Sequence, residues 1–244
     1  MAEPDDTDAV RVERSPKRLR AFLGGQLVFD TLQARLVWEV SYYPHYYVPR
    51  GDVRAKLVPT GHHRPSRQRG KGVLWTVEAD GHRAEHAAAT FDDSPVTDLH
   101  GLVRFKWDAL DAWFEEDEEV YTHARNPYTR VDILPSSRHI AIESRGVTVA
   151  DTTRGNVLFE TGLPSRFYVP KLDVRMDLLE PTETVTYCPY KGRATYWAFA
   201  LDDWEVKDAA WSYRYPLPEC TRIAGLLCFD SRKVDVVVDG IRQE

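Results

Sequence analysis

Apolar positions in this chain come in short runs rather than long stripes. Leu27-Val28-Phe29, Leu36-Val37-Trp38-Glu39-Val40, residues 54–58 and Val73-Leu74-Trp75-Thr76-Val77 are rich in β-branched and aromatic side chains. They are bounded by Gly, Pro and Asp, which predicts strands. Similar runs follow at Gly146-Val147-Thr148-Val149, Val157-Leu158-Phe159-Glu160, residues 174–179, Ala194-Thr195-Tyr196-Trp197-Ala198-Phe199, Gly225-Leu226-Leu227-Cys228-Phe229 and Val234-Asp235-Val236-Val237-Val238. Runs of this length and spacing predict an all-β, antiparallel sandwich or barrel. Helical signals are few. Residues 108–119 place Leu110, Trp113 and Phe114 on one face behind Asp108 as a cap, which predicts a helix or, equally, a short turn or 3₁₀ segment.

The pattern recurs because the sequence recurs. Shifted by 121 positions, Asp30-Thr31 meets Asp151-Thr152, Glu39 meets Glu160, and Tyr47-Val48-Pro49 meets Tyr168-Val169-Pro170. Asp52-Val53-Arg54 then meets Asp173-Val174-Arg175, and Leu57 meets Leu178. After short slips, Lys71-Gly72 falls on Lys191-Gly192. The expected organisation is two homologous, compact β domains: a disordered tail over 1–16, a first domain over 17–122, an ordered crossover linker over 123–137 and a second domain over 138–244.

A length of 244 residues suits two domains large enough to bury separate cores. No apolar run approaches the roughly 18 residues a membrane span requires, and the acidic start is not a signal peptide. The three cysteines, Cys188, Cys220 and Cys228, all lie in the second half and none forms Cys-x-x-Cys. That predicts a reducing, cytoplasmic setting and no thiolate zinc site. A net charge of −6 argues against a nucleic-acid partner. Oligomeric state is not legible. His82-x-x-x-His86 suits a metal only on a helix, and it falls in a strand-like region, so no metal is expected. The stretch 62–71 carries Arg64, Arg67, Arg69 and Lys71 with no acid, and reads as a solvated loop or an anion-attracting one.

The chemistry concentrates in the second half. Thr186-Tyr187-Cys188-Pro189-Tyr190-Lys191-Gly192 joins a thiol to an amine within four positions. An ammonium beside a cysteine favours the thiolate, so Cys188 is a candidate nucleophile with Lys191 steering an anionic substrate. The plain alternative is a small buried cysteine and an ion-paired lysine. Glu160 closes an apolar run and must be paired or line a wet cleft, where it would serve as acid or base. Tyr168, Asp173 and Arg175 recur in the first half, so they are either ligand contacts or structural ion pairs on one strand face. Trp211 and Tyr213 alternate along a strand and form either a pocket wall or core. Neither a P-loop nor Gly-x-Gly-x-x-Gly is present, and no cofactor is expected.

Several of these segments together resemble a known family. Glu160-Thr161-Gly162-Leu163-Pro164, Arg166-Phe167-Tyr168-Val169-Pro170, Cys188-Pro189-Tyr190-Lys191-Gly192-Arg193-Ala194 and Ala210-Trp211-Ser212-Tyr213 are similar to the domain-of-unknown-function family 427. Residues 130–139 resemble the junction of its tandem members. The resemblance covers nearly the whole chain from about residue 17. It implies Mss4-like, β-tent domains, that is, half-open barrels or sandwiches. The family has carried a nucleotidyltransferase-like label, but this chain lacks the phosphate and metal motifs that such an activity needs. The first half keeps only Lys71-Gly72 of the motif and lacks the tryptophan, which implies a degenerate, supporting copy. Three functions remain open: an enzyme on a small polar metabolite using Cys188, Lys191 and Glu160; a non-catalytic binding module; and a tandem-domain scaffold for a protein partner.

Overall fold

Strands form where alternate side chains find opposite environments. Over Leu19–Leu23, Leu19, Ala21 and Leu23 are buried while Arg20 and Phe22 are half-buried, the period-2 pattern of a sheet covered on one face. The computed structural model describes residues 10–201 and 204–243. The chain divides into two units, Met1–Asn126 and Pro127–Glu244.

Unit 1 contains β1 (Arg11–Arg14), β2 (Leu19–Leu23), β3 (Gln26–Thr31), β4 (Arg35–Trp38), β5 (His45–Pro49), β6 (Lys56–Ser66), β7 (Gly70–Ala79), β8 (His82–Thr90), β9 (Leu102–Phe105), β10 (Ala112–Glu115) and β11 (Glu118–Val120). They make a seven-stranded sheet in the order β1-β4-β5-β9-β8-β7-β6 and a four-stranded sheet in the order β11-β10-β2-β3. Unit 2 contains β12 (Val131–Ser136), β13 (Ile140–Ser144), β14 (Val147–Thr152), β15 (Gly155–Glu160), β16 (Arg166–Val169), β17 (Leu179–Cys188), β18 (Gly192–Leu201), β19 (Trp204–Ser212), β20 (Leu227–Phe229), β21 (Asp235–Val238) and β22 (Ile241–Arg242). Its sheets run β12-β15-β16-β20-β19-β18-β17 and β14-β13-β21-β22. Element for element, this is the order of unit 1. All-β architecture and duplication are therefore both visible in the backbone, and the sheets are open rather than closed barrels.

The large sheet of unit 2 buries both faces. Phe167 and Val169 of β16 join Ile140, Ile142 and Val236 in the core between the sheets. Tyr168, between them in sequence, joins Leu158, Tyr213, Cys220, Ile223 and Cys228 in a second cluster on the outer face. Unit 1 repeats the division, with Val48 in the main core and Tyr47 beside Phe91 and Leu99 outside.

The structure departs from the sequence reading at several points. Residues 11–14, expected in a disordered tail, form β1 and pair with β4; the tail's first nine residues lie outside those described. Residues 131–136 of the expected linker form β12, paired with β15. Of the two alternatives for residues 108–119, the structure takes the short 3₁₀ turn at their start and strands after it, not the helix. A 3₁₀ turn at Trp107–Ala109 leads into β10, where Trp113 pairs with Ala21 and stacks on Trp107. Burial and stacking of the two indoles outweigh the weak helical pattern. The basic stretch 62–71 is a β6–β7 hairpin rather than a loop. Among the described residues no helix is long and apolar enough to cross a membrane.

Candidate functional site

The site of unit 2 is built by the turn between β17 and β18. Cys188 pairs with Gly192, leaving Pro189-Tyr190-Lys191 as the tip. Gly192 has φ +94°, a conformation that L side chains rarely adopt. The Leu217 amide donates to the Lys191 carbonyl at 3.2 Å, and the Cys220 thiol donates to the Tyr190 carbonyl at 3.3 Å. Thus anchored, the turn aims Lys191 across the outer face of the sheet. Its Nζ lies 2.5 Å from Oε2 of Glu160 at the end of β15, with the two side chains only 11% and 9% exposed. Burial disfavours the ammonium. The neighbouring Cys188 thiol group and the Glu160 carboxylate more than offset it and raise the Lys191 pKa above its ordinary value.

A cleft of about 450 Å³ opens over this pair. Tyr168, Tyr196, Trp211 and Tyr213 form its aromatic wall, and Arg166 and Asp208 stand on its rim. The Trp211 indole donates to the Tyr168 hydroxyl at 3.3 Å. Thr186 and Tyr196 share a hydroxyl–hydroxyl bond of 2.8 Å, and the Arg166 guanidinium lies 5.6 Å from the Trp211 ring centroid. Asp208 occupies a β-bulge with φ +52° and accepts from Thr182 at 2.7 Å and Thr184 at 3.0 Å. Bulges re-aim side chains in this way. Burial pushes the Tyr168 and Tyr213 phenols well above their ordinary range. At neutral pH both stay protonated, as does Lys191.

The structure brings Glu160, Tyr168, Lys191, Trp211 and Tyr213 together around this cleft. Cys188 is half-buried and packs against the outer-face cluster, beside the cleft rather than among the side chains that line it. Asp173 and Arg175 belong elsewhere. They are not two positions of one strand: a 3₁₀ turn ends at Asp173, and Arg175 precedes another. Asp173 accepts from Thr152 at 2.7 Å and from Arg154 at 2.6 Å; first Arg154, then Thr152, holds its carboxyl at about 2. Arg175 pairs with Asp177 at 2.6 Å at the surface. In unit 1 Thr31 donates to Asp52 at 2.5 Å, so the recurring aspartate ties a strand end to a turn and is structural. Sequence reasoning missed Arg166, Tyr196 and Asp208. Arg166 and Tyr168 alternate along β16, a period-2 signal that was available; the bulge at Asp208 carries no local sequence signature.

Strand register corrects the sequence alignment of the two halves at this turn. Ser66 pairs with Gly70 as Cys188 pairs with Gly192, and both glycines have positive φ. The partner of Lys191 in unit 1 is therefore Arg69 rather than Lys71, and Cys188 corresponds to Ser66. Arg69 lies 2.9 Å from Glu39 Oε1. It also donates to the Tyr47 hydroxyl at 2.9 Å and to Ser66 Oγ at 3.2 Å, and sits 4.7 Å over the Phe91 ring. Arg104 donates to the same carboxylate oxygen at 2.8 Å. Burial opposes the charge on Glu39, but the flanking cations, Arg104 foremost, hold its carboxyl below the ordinary value. Register also places Ala89, Leu74 and Phe91 where unit 2 has Trp211, Tyr196 and Tyr213. The hollow of unit 2 is thus filled in unit 1 by a guanidinium.

Among the described residues no group of three or more His, Cys, Asp or Glu side chains is arranged to hold a metal ion. A family model described as a domain of unknown function, DUF427, matches residues 11–116 and 132–240. The search of curated proteins found no match. The chain belongs to the DUF427 family and carries its domain twice in tandem.

Proposed function

We propose that unit 2 of this DUF427 protein is a small-molecule binding module whose ligand is a compact, ring-bearing polar metabolite. One observation carries the reading: a cleft of about 450 Å³ in which four aromatic side chains surround a buried Glu160–Lys191 pair. That volume falls in the usual range for small-ligand pockets. The aromatic wall supplies contact area, Arg166 an anion contact, and Asp208 an acceptor for donors on the ligand. Lys191, held charged by its pairing, and the protonated Tyr168 and Tyr213 suit fixed recognition better than proton transfer, which calls for groups poised near neutrality. Unit 1, with its hollow filled, supports the fold at this position. The open sheets of each unit favour the Mss4-like, β-tent relationship, and three free cysteines favour a reducing compartment.

A catalytic reading rests on a different observation. Cys188 lies near enough to Lys191 to raise the lysine's pKa, which sets a thiol nucleophile beside a fixed cation able to hold an anionic substrate. Fragment titration on the full chain, followed by NMR, separates the two. Binding requires that aromatic carboxylate or amino-acid fragments engage the wild type, weaken at least about tenfold in Trp211→Ala, and persist in Cys188→Ala. Fragments that bind indifferently to Trp211→Ala would refute the cleft. A Cys188 thiol alkylated faster near pH 7 than its exposure allows would favour catalysis.

A further inference from the structure

The duplication leaves unit 1 with a cleft of its own, displaced from the filled hollow. It has a volume of about 260 Å³ and lies at the end of the sheet where β5 begins and β9 finishes. Two aromatic pairs wall it. Tyr43 and His123 are stacked with centroids 4.0 Å apart, and Trp107 and Trp113 are stacked at 4.4 Å, 7° from parallel. Arg104 and Lys106 line it as cations and Asp108 as the single acid. Arg104 is largely buried, its side chain 12% exposed, and only its Nε is engaged, by Glu39. Among the described residues its two terminal nitrogens carry no hydrogen bond. His45, also on the wall, has a buried Nδ1 without a hydrogen-bond partner. His123 faces the Ala124 carbonyl through Nδ1 at 2.9 Å, so that nitrogen donates and its Nε2 is left as an acceptor.

We propose that this cleft binds a small planar aromatic carboxylate. A guanidinium held by its Nε presents the remaining two-nitrogen edge as a flat fork, which matches a carboxylate bidentately. Lys106 adds a second positive charge. Asp108 on the same wall opposes a doubly charged phosphate. The half-buried Tyr43, His123 and Trp107 offer apolar faces to a ring, with Trp113 backing Trp107 from the core, and the volume lies below the range that holds drug-sized ligands, so one ring fills it. The cations exclude an aromatic cage for a quaternary amine. Unit 2 cannot duplicate the site. There, register places Cys228 at the position of Arg104 and Asp230 at that of Lys106, reversing the charge.

The test is titration of the full chain with benzoate, read at the indole N–H signals of Trp107 and Trp113, which belong to this cleft and not to that of unit 2. Saturable binding that shifts both indole signals is expected. Benzamide and benzylammonium should bind at least about tenfold more weakly, and Arg104→Lys should weaken benzoate by a similar factor. Exposed Lys106→Gln, which leaves the fold intact, should weaken binding read at these signals about threefold, and Arg175→Gln, at the surface of unit 2, should leave them unchanged. Unmoved Trp107 and Trp113 signals, equal affinity for benzamide, or a loss in Arg175→Gln matching that in Lys106→Gln would each overturn the proposal. Phenyl phosphate binding more tightly than benzoate would also overturn it.

Discussion

Lys191→Met is the sharpest perturbation of unit 2, because it strands a buried carboxylate. Glu160 and Lys191 are 9% and 11% exposed and meet at 2.5 Å. Removing one partner of such a pair costs about 3–5 kcal/mol, largely the penalty of a lone buried charge. Removing both restores most of it, so Glu160→Leu combined with Lys191→Met should lie within about 1–2 kcal/mol of wild type. Unit 1 provides an internal control. Arg69→Met leaves Glu39 with Arg104 at 2.8 Å, so the carboxylate keeps a cation and the loss should be smaller, about 1–3 kcal/mol. The assay is native-state hydrogen exchange, which resolves the two units separately. Protection of β15, β16 and β18 should fall in Lys191→Met and recover in the double variant. Because pairing raises the Lys191 pKa, its contribution is fully present below the ordinary lysine value near 10.5 and is lost as pH rises above it. Alkaline loss of protection in unit 2 should therefore be blunted in Lys191→Met. A double variant as damaged as the single, or equal losses for Lys191→Met and Arg69→Met, would refute this account of the pair.

Two further outcomes follow from buried titratable groups. Burial lowers His45 to about 4, so the folded state excludes its proton. Stability of unit 1 should be complete above about pH 6.5 and fall by up to about 3 kcal/mol as pH drops toward 4; His45→Phe should flatten that slope in urea unfolding, and an unchanged slope would count against it. Burial also pushes Cys220 up to about 11 and Cys228 up to about 12. At pH 8 iodoacetamide should modify only Cys188 in the native chain, checked by peptide mass spectrometry. Native labelling of Cys228 would contradict its place in the outer-face cluster.

Strand content and duplication were legible because both rest on local signals. Runs such as Val157-Leu158-Phe159 carry β propensity and burial in a few residues, and Tyr168-Val169-Pro170 repeats Tyr47-Val48-Pro49 without gaps. The aromatic positions Tyr168, Trp211 and Tyr213 were also visible, since alternation places them on one face. What was lost depended on register. Lys71-Gly72 matches Lys191-Gly192 letter for letter, yet pairing sets Arg69-Gly70 there, because turn length rather than identity decides which residue faces Glu39. Asp173 and Arg175 recur as strongly as the cleft residues, but they recur for a turn, since recurrence records whatever both folds need. Residues 11–14 read as tail because Arg11-Val12-Glu13-Arg14 has little apolar content; their order comes from pairing with β4, where Arg11 meets Trp38 and Val12 meets Val37, a contact local sequence does not announce.

The two units give different answers to one problem, a glutamate buried at the end of a strand beside a tyrosine. In unit 2 a lysine answers it with a single point of contact. Its ammonium satisfies Glu160 without covering the tyrosines, so the hollow stays open beneath Trp211. In unit 1 an arginine answers it with a plane that reaches Glu39, Tyr47 and Ser66 at once and lies on Phe91. That plane takes the volume a ligand would need. The register partner of Trp211 is Ala89, too small to wall a cleft even were the guanidinium removed. Arg69→Lys alone should therefore not create a working copy of the unit 2 site, because the wall is missing as well as the space. The same substitution pattern explains the displaced cleft. Glu39 is shared by two guanidiniums, Arg69 at 2.9 Å and Arg104 at 2.8 Å, so one carboxylate faces two cations and Arg104, engaged through Nε alone, keeps its two terminal nitrogens for another anion.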